Sequence, residues 1–411
     1  MLKENGLSPY RWLILLAIVP IIISTEMMWL SLAPISSMAE GFYGVSSMSI
    51  SLFSMSYMIM YIIFSLPASW IVDKFGYRYS LIIGASITAI FGVLRAIFAD
   101  HFIVVLITQF TIAIGQPFLL NISTKVPANW FPVSERSTAA GILTMAQYLG
   151  FAVPMLAAPI IAESSGIPQT FMVFAIIAVV SALLAILFTK EKPATPPPGP
   201  VAQREDFSLL FVKKLLQKKD FLLVLFICFI SMGIFNALLT LIEAILLPRG
   251  ITSAQAGIVG AVFVVAGIIG AVVLPIISDN THIRAPFFIG TISLLIPLYL
   301  GLTFVENFIL LAIIAGIAGF SIMGVAPILF QHGAEVAYPI QEGTSLGVIL
   351  LMGQVSGALF VYLFEILQGA TGSVILPMLL TVVLTAAELP ATLRIKESSL
   401  NTQKSGVSHQ A

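Results

Sequence analysis

The chain has 411 residues, of which 59% are hydrophobic and only 9% charged, with 19 basic side chains against 19 acidic ones. Soluble globular chains carry about 25% charged residues, so this composition excludes that class and implies a polytopic membrane protein. The zero net charge says little about partners, and the placement of the charges carries the information instead.

Apolar runs of roughly 20 residues between polar breaks predict twelve transmembrane helices, at 12–35, 47–72, 79–99, 102–124, 136–161, 168–189, 221–247, 253–277, 285–304, 307–330, 344–368 and 371–390. The expected organisation is an all-α membrane protein of two pseudo-symmetric six-helix halves. Residues 1–189 form the N-terminal bundle, 190–220 a cytoplasmic linker, 221–393 the C-terminal bundle and 394–411 a cytoplasmic tail. The first run is too long for a signal-peptide core and lacks a cleavage site, so it reads as a retained helix.

Predicted helix 1 holds Glu26 and Trp29 inside the apolar stretch Ile23-Ser-Thr-Glu-Met-Met-Trp29. Three residues apart, the two project from one helical face. A carboxylate facing lipid near the bilayer centre costs ~2.5 kcal/mol or more, so Glu26 is expected to face a bundle interior or a wet cavity. There it either recognises a solute or partners a polar group on another helix. Trp29 is either a packing aromatic or a wall of the same site.

The Pro-rich piece Lys192-Pro-Ala-Thr-Pro-Pro-Pro-Gly-Pro200 reads as a solvated spacer. The basic, amphipathic Phe207 to Lys219 is expected to lie on the anionic cytoplasmic leaflet. With the N-terminus inside, seventeen Lys and Arg fall on inner segments, Arg249 alone falls on an outer loop, and Arg95 lies within helix 3. That asymmetry places both termini in the cytoplasm, in a plasma membrane or a bacterial inner membrane.

The halves read as repeats. Asp73-Lys-Phe-Gly-Tyr-Arg78 and Asp279-Asn-Thr-His-Ile-Arg284 stand 206 residues apart, the same offset carries Trp29 to Phe235 beside Asn236, and 207 carries Gln147 to Gln354. Pro67-Ala-Ser-Trp-Ile-Val-Asp-Lys-Phe-Gly-Tyr-Arg-Tyr-Ser80 resembles the signature of the major facilitator superfamily, with Asp73, Gly76 and Arg78 in place and Ser69 where glycine is usual. The resemblance implies two parallel six-helix halves with a substrate site near mid-membrane between them. Asp73 with Arg78, and Asp279 with Arg284, are candidate gating residues that pair across the half-interface and hold the inner face closed. The alternative is ordinary topology charge.

A narrower resemblance rests on Gly115-Gln-Pro-Phe-Leu-Leu120, Trp130-Phe131, Glu135-Arg-Ser-Thr-Ala139, Ala146-Gln-Tyr-Leu-Gly150, Gly353-Gln354 and an outer loop ending in Tyr338-Pro-Ile-Gln-Glu-Gly-Thr-Ser-Leu-Gly347. With Trp29, these resemble the feline leukaemia virus subgroup C receptor family of facilitators. That family implies transport of choline, ethanolamine or related amines, with haem export also ascribed to it. Its choline pocket uses an aromatic on helix 1, another on helix 7 and glutamines from helices 5 and 11, which carries over to Trp29, Gln147 and Gln354. The chain departs from the pattern at Asn236, where an aromatic is expected, and at Glu26, where the family position is apolar.

A cation over an indole gains ~2 kcal/mol once desolvated, and glutamines adapt to a hydroxyl or an ammonium. Exchanging an aromatic wall for Asn236 and adding Glu26 favours a hydrogen-bonding amine over a quaternary one. It also allows proton coupling, because an intramembrane carboxyl can exchange its proton for a cation. Gln116 on helix 4 is a further candidate for the substrate site, although it and Gln109 can equally bond between helices. Arg95 reads as structural, in need of a carbonyl or acid partner or a snorkelling route. Glu365 is expected at the outer rim, and Glu243, late in helix 7 towards the outer face, is either interfacial or functional. Met27 and Met28 line the pocket or simply pack.

His101, His282, His332 and His409 form no intramembrane pair, and no phosphate-binding glycine loop occurs. The expectation is therefore a monomeric carrier, not an enzyme, with no cofactor, metal or nucleic-acid partner. Its cargo is a small amine moved by alternating access. An exporter of haem or another amphipathic, drug-like solute is the alternative, and a non-transporting receptor the remote one.

Overall fold

Within hydrocarbon a backbone N–H or C=O finds no water, so a chain this apolar crosses only as helices or as a closed barrel. The computed structural model describes residues 9–193, 209–281, 283–340 and 342–397, and it takes the helical solution. Twelve of its helical segments are long and apolar enough to cross a membrane. The Pro-rich linker beyond Pro193, the start of the basic segment up to 208, and the tail from 398 lie outside the described residues.

The chain divides into two compact units, Met1–Arg204 and Glu205–Ala411. The first contains α1 (Tyr10–Trp29), a 3-10 turn (Ala33–Ile35), α2 (Ser36–Tyr43), α3 (Ser47–Phe75), α4 (Tyr77–Ile97), α5 (Phe102–Leu120), α6 (Lys125–Trp130), α7 (Val133–Ser165) and α8 (Ile167–Phe188). The second contains α9 (Leu209–Leu215), α10 (Lys219–Thr240), α11 (Ile242–Leu246), a 3-10 turn (Leu247–Arg249), α12 (Ser253–Thr281), α13 (Ala285–Phe304), α14 (Phe308–Ala337), α15 (Glu342–Thr371) and α16 (Ile375–Thr392). Each unit repeats one packing scheme. In the first, α1 packs on α7, α3 on α5, and α4 on α5 and α8; in the second, α10 packs on α15, α12 on α14, and α13 on α14 and α16.

Apolar side chains gain little by leaving lipid for protein, so close backbone approach sets these pairings. The α12–α14 crossing shows how close. A Cβ on Gly319 would overlap the carbonyl of Phe263, and one on Gly270 would overlap the carbonyl of Phe320.

Three expectations change. Predicted helices 1 and 7 were continuous, but α1 ends at Trp29 and α10 at Thr240, each followed by a turn and a short helix. After α1 the ring of Pro34 holds the second position of the 3-10 turn. Proline supplies no N–H and disfavours helical geometry in the residue before it. The basic segment is also more than a surface feature, since Leu215 of α9 is fully buried in the core of the second unit. Lys218 then donates to the carbonyls of Val336 and Ala337 at 3.4 and 2.8 Å, capping α14. That bond places the loop from Tyr338 at the linker end of its unit, correcting its assignment as an outer loop.

One capping device occurs twice. After α8 the carboxylate of Glu191 accepts the N–H groups of Tyr77 (3.3 Å) and Arg78 (2.8 Å) at the start of α4, and a bond from Asn129 Nδ2 at 3.4 Å. After α16, Glu397 accepts the N–H groups of Arg284 (2.7 Å) and Ala285 (2.8 Å) at the start of α13. A carboxylate on a helix N-terminus satisfies orphan donors and complements the helix dipole. It also accounts for Gly76, which has φ +94° and stands so close to Glu191 that a Cβ would collide with the carboxylate.

Gly319→Ala is expected to destabilise the protein by ~1–3 kcal/mol through overpacking. Gly290→Ala, which meets nothing within 4 Å, is expected to be neutral or mildly stabilising. Melting temperatures of the two variants in detergent check this, and equal values would remove the close crossing as a constraint.

Candidate functional site

In the first unit the candidate residues converge on the end of α1. Glu26 is 1% exposed and Gln116 of α5 is 4% exposed. Nε2 of Gln116 donates to both carboxylate oxygens, at 3.1 and 3.0 Å, while its Oε1 has no hydrogen-bond partner. No basic side chain pairs with Glu26 among the described residues. The approach of α7 is set by Gly150, where a Cβ would stand 2.8 Å from the carbonyl of Ile23 and press on Glu26 itself.

Trp29 is also buried, and its indole N–H donates to the carbonyl of Ser54 on α3 at 2.9 Å. That bond fixes the ring between two others. Tyr57 of α3 stacks on it with centroids 6.4 Å apart and planes 25° apart, and Phe151 of α7 meets it edge-on at 5.2 Å. Neither Tyr57 nor Phe151 was among the expected site residues. Both carried a signal: Ser54, Tyr57, Tyr61 and Ser65 form a polar and aromatic stripe along α3, and Phe151 lies one turn after Gln147 on the same face of α7. Gln147 is half-buried there.

Arg95 of α4 is fully buried, which rules out a snorkelling route. Its guanidinium donates to Gln109 Oε1, to Ser31 Oγ at 3.3 Å and to Met28 Sδ at 2.9 Å, and lies 4.4 Å from the centroid of the Phe171 ring. None of these is an acid. Gln109 in turn donates to the carbonyls of Met28 (3.2 Å) and Phe53 (3.3 Å), tying α5 to α1 and α3. Met28 therefore contacts a charged group, whereas Met27 is simply buried.

In the second unit Asn236 of α10 is 4% exposed and donates to the carbonyl of Gly353 on α15, at 3.3 Å, beside the half-buried Gln354. Glu243 and Glu365 are 0% and 6% exposed, so both are buried within the unit. Glu243 accepts a bond from Ser253 at the start of α12. Sequence reasoning passed over Glu388 of α16, a lone acid in an apolar run that is fully buried and accepts a bond from Ser231 of α10 at 2.9 Å. Among the described residues, no three of His, Cys, Asp and Glu gather as a metal would require.

The proposed gating residues hold partners within their own units. Asp73 binds Lys125 at 2.9 Å, and the backbone of Arg78 is held by Glu191. Arg284 pairs with the largely buried Glu335 at 2.7 Å, and Asp279 is exposed.

Comparison with known proteins identifies the architecture. The Major Facilitator Superfamily profile matches residues 11–361. The choline/ethanolamine transporter flvcr2a of Danio rerio is 29% identical, covering 87% of this chain and 80% of its own. Solute carrier family 49 member A3 of Xenopus tropicalis is 28% identical, covering 86% and 77%. The human choline/ethanolamine transporter FLVCR2 is 27% identical, covering 86% and 71%. Among solved structures, a bacterial homologue of the human lysosomal transporter Spinster, inward-facing and unoccupied, superposes with a TM-score of 0.72 at 17% identity, covering 96% of this chain and 99% of that one.

Removing one member of a buried polar pair costs far more than removing both, typically ~3 kcal/mol or more when a charge is left alone. Gln116→Leu is therefore expected to lower the melting temperature more than the double variant Glu26→Leu/Gln116→Leu does. A double variant no more stable than Gln116→Leu would show that the two residues are not energetically coupled.

Proposed function

The chain belongs to the major facilitator superfamily, a family of multi-pass membrane transporters of small molecules, and on that premise we propose that its cargo is a small organic amine carried by alternating access. The observation that carries the reading is the pairing of Glu26 with Trp29 at one end of α1, a carboxylate and an indole face buried together among Tyr57, Phe151 and Gln116. The carboxylate neutralises the ammonium and the indole binds it through its π face. Several relatives bear the names of choline and ethanolamine transporters, which agrees with this chemistry.

Gln147 in the first unit, and Gln354 and Asn236 in the second, are the further candidate cargo contacts of this reading. Gln116 serves Glu26 first. Its amide donates to both carboxylate oxygens, so an incoming ammonium competes with a neutral donor for them. Proton exchange at Glu26 supplies the coupling. Asp73, Gly76 and Arg78 with Asp279 and Arg284 order the inner ends, both termini are cytoplasmic and the carrier acts as a monomer, with 1–189 and 221–393 as the moving bundles and 190–220 and 394–411 as linker and tail.

Haem or drug-like cargo is the competing reading. Glu26 attracts an ammonium and repels an anionic group brought to the same face of Trp29, and this favours the amine.

The test is uptake of labelled choline and ethanolamine by proteoliposomes with and without an imposed pH gradient. Saturable uptake is expected, and Glu26→Gln should reduce it at least tenfold or remove its response to the gradient. Unchanged transport at every pH would take Glu26 out of the mechanism, and no uptake under any gradient would turn attention to haem and drug-like solutes.

A further inference from the structure

The first unit buries two opposite charges that do not meet. Glu26 is 1% exposed and has no basic partner, and Arg95 is 0% exposed and has no acidic one among the described residues. An uncompensated charge at membrane depth is costly, and a guanidinium held only by a hydroxyl, an amide, a thioether and a ring is a poor structural choice where a neutral side chain would pack. One helix supports both. Gln109 and Gln116 stand seven residues apart, two turns along one face of α5, the first bonded to Arg95 and the second to Glu26.

Both charges lie close to Trp29 along the chain. Glu26 is nearly one turn before it, whereas Arg95 reaches Met28 and Ser31, which flank it. Tyr57 stacks on Trp29 between the helices that carry them. Carboxylate, aromatic pair and guanidinium are all buried within this unit, with Glu26 at 1%, Trp29 at 4% and Arg95 at 0% exposure. Arg95 contacts the residues on both sides of Trp29 in the chain, so a solute seated on the indole needs only a local opening at Met28 and Ser31 to meet the guanidinium.

Building on the amine reading of this site, we propose that the preferred cargo is a small zwitterion, an ammonium joined through a short alkyl link to a carboxylate, whose carboxylate end is received by Arg95. A plain amine neutralises Glu26 and leaves the guanidinium unbalanced. A zwitterion supplies both counter-charges at once, and guanidinium fits a carboxylate in a forked geometry that no hydroxyl can match. The Nε of Arg95, which has no hydrogen-bond partner, is a donor free for that fork.

Matched pairs test this directly. Glycine betaine and glycine differ from choline and ethanolamine only by a carboxylate in place of the hydroxymethyl group. In proteoliposomes holding the intact chain, each carboxylate member should compete with labelled uptake at concentrations at least tenfold lower than its alcohol partner. In Arg95→Gln that ratio should fall to about one, and Arg95→Lys should restore part of it. A wild-type ratio of one or below overturns the inference while leaving the amine reading intact, and it requires no variant to fold. So does an Arg95→Gln protein that keeps the wild-type ratio. Dependence of uptake on external chloride, lost in Arg95→Gln, would assign the guanidinium to an inorganic anion and overturn the inference equally. If none of the four compounds is taken up or competes, it is the amine reading that fails.

Discussion

One hydrogen-bonded contact organises the first unit: the amide of Gln116 across both oxygens of Glu26. In water it would be worth little, because solvent would replace either partner. Inside a bilayer no such replacement exists, and the acid stays at the end of α1 only because α5 brings a donor to it. The same helix does this a second time at Arg95 through Gln109. Around these two posts the rest follows. Gly150 lets α7 approach, Ser54 holds the indole, and Tyr57 and Phe151 close round it.

The relation to the choline/ethanolamine carriers gains content from this arrangement. The resemblance called for an aromatic wall on the helix that here carries Asn236, and that side chain is instead bonded to the backbone of α15. Aromatic surface around Trp29 comes from α3 and α7 of its own unit. Departure at one position therefore need not mean loss of the chemistry, because rings supplied by neighbouring helices can do the same work.

What the sequence disclosed depended on how locally each property is encoded. Hydropathy locates spans because each apolar run meets the bilayer on its own terms, so twelve spans were legible. It is blind to a break inside an apolar run, and the ends of α1 at Trp29 and α10 at Thr240 were missed. Glu26 stood out because an acid in such a run is rare, yet its partner lies 90 residues away, and nothing local announces it. Asp73 was read beside Arg78 because a motif displays its chain neighbours, whereas its ion pair is made with Lys125, 52 residues on. Glu388 carried the same signal as Glu26 but no neighbouring motif to draw attention to it.

The twin caps at the starts of α4 and α13 enclose matching lengths of chain. From Arg78 to Glu191 is 113 residues, and from Arg284 to Glu397 is also 113. Between those points the spacing does not hold throughout, since Gln147 and Gln354 are displaced by one residue from the common offset. An insertion on one side of that position is thus matched by a deletion on the other. Each helix start and the acid that seals it therefore bracket the same length of chain in both units, while the glutamine between them is shifted by one residue.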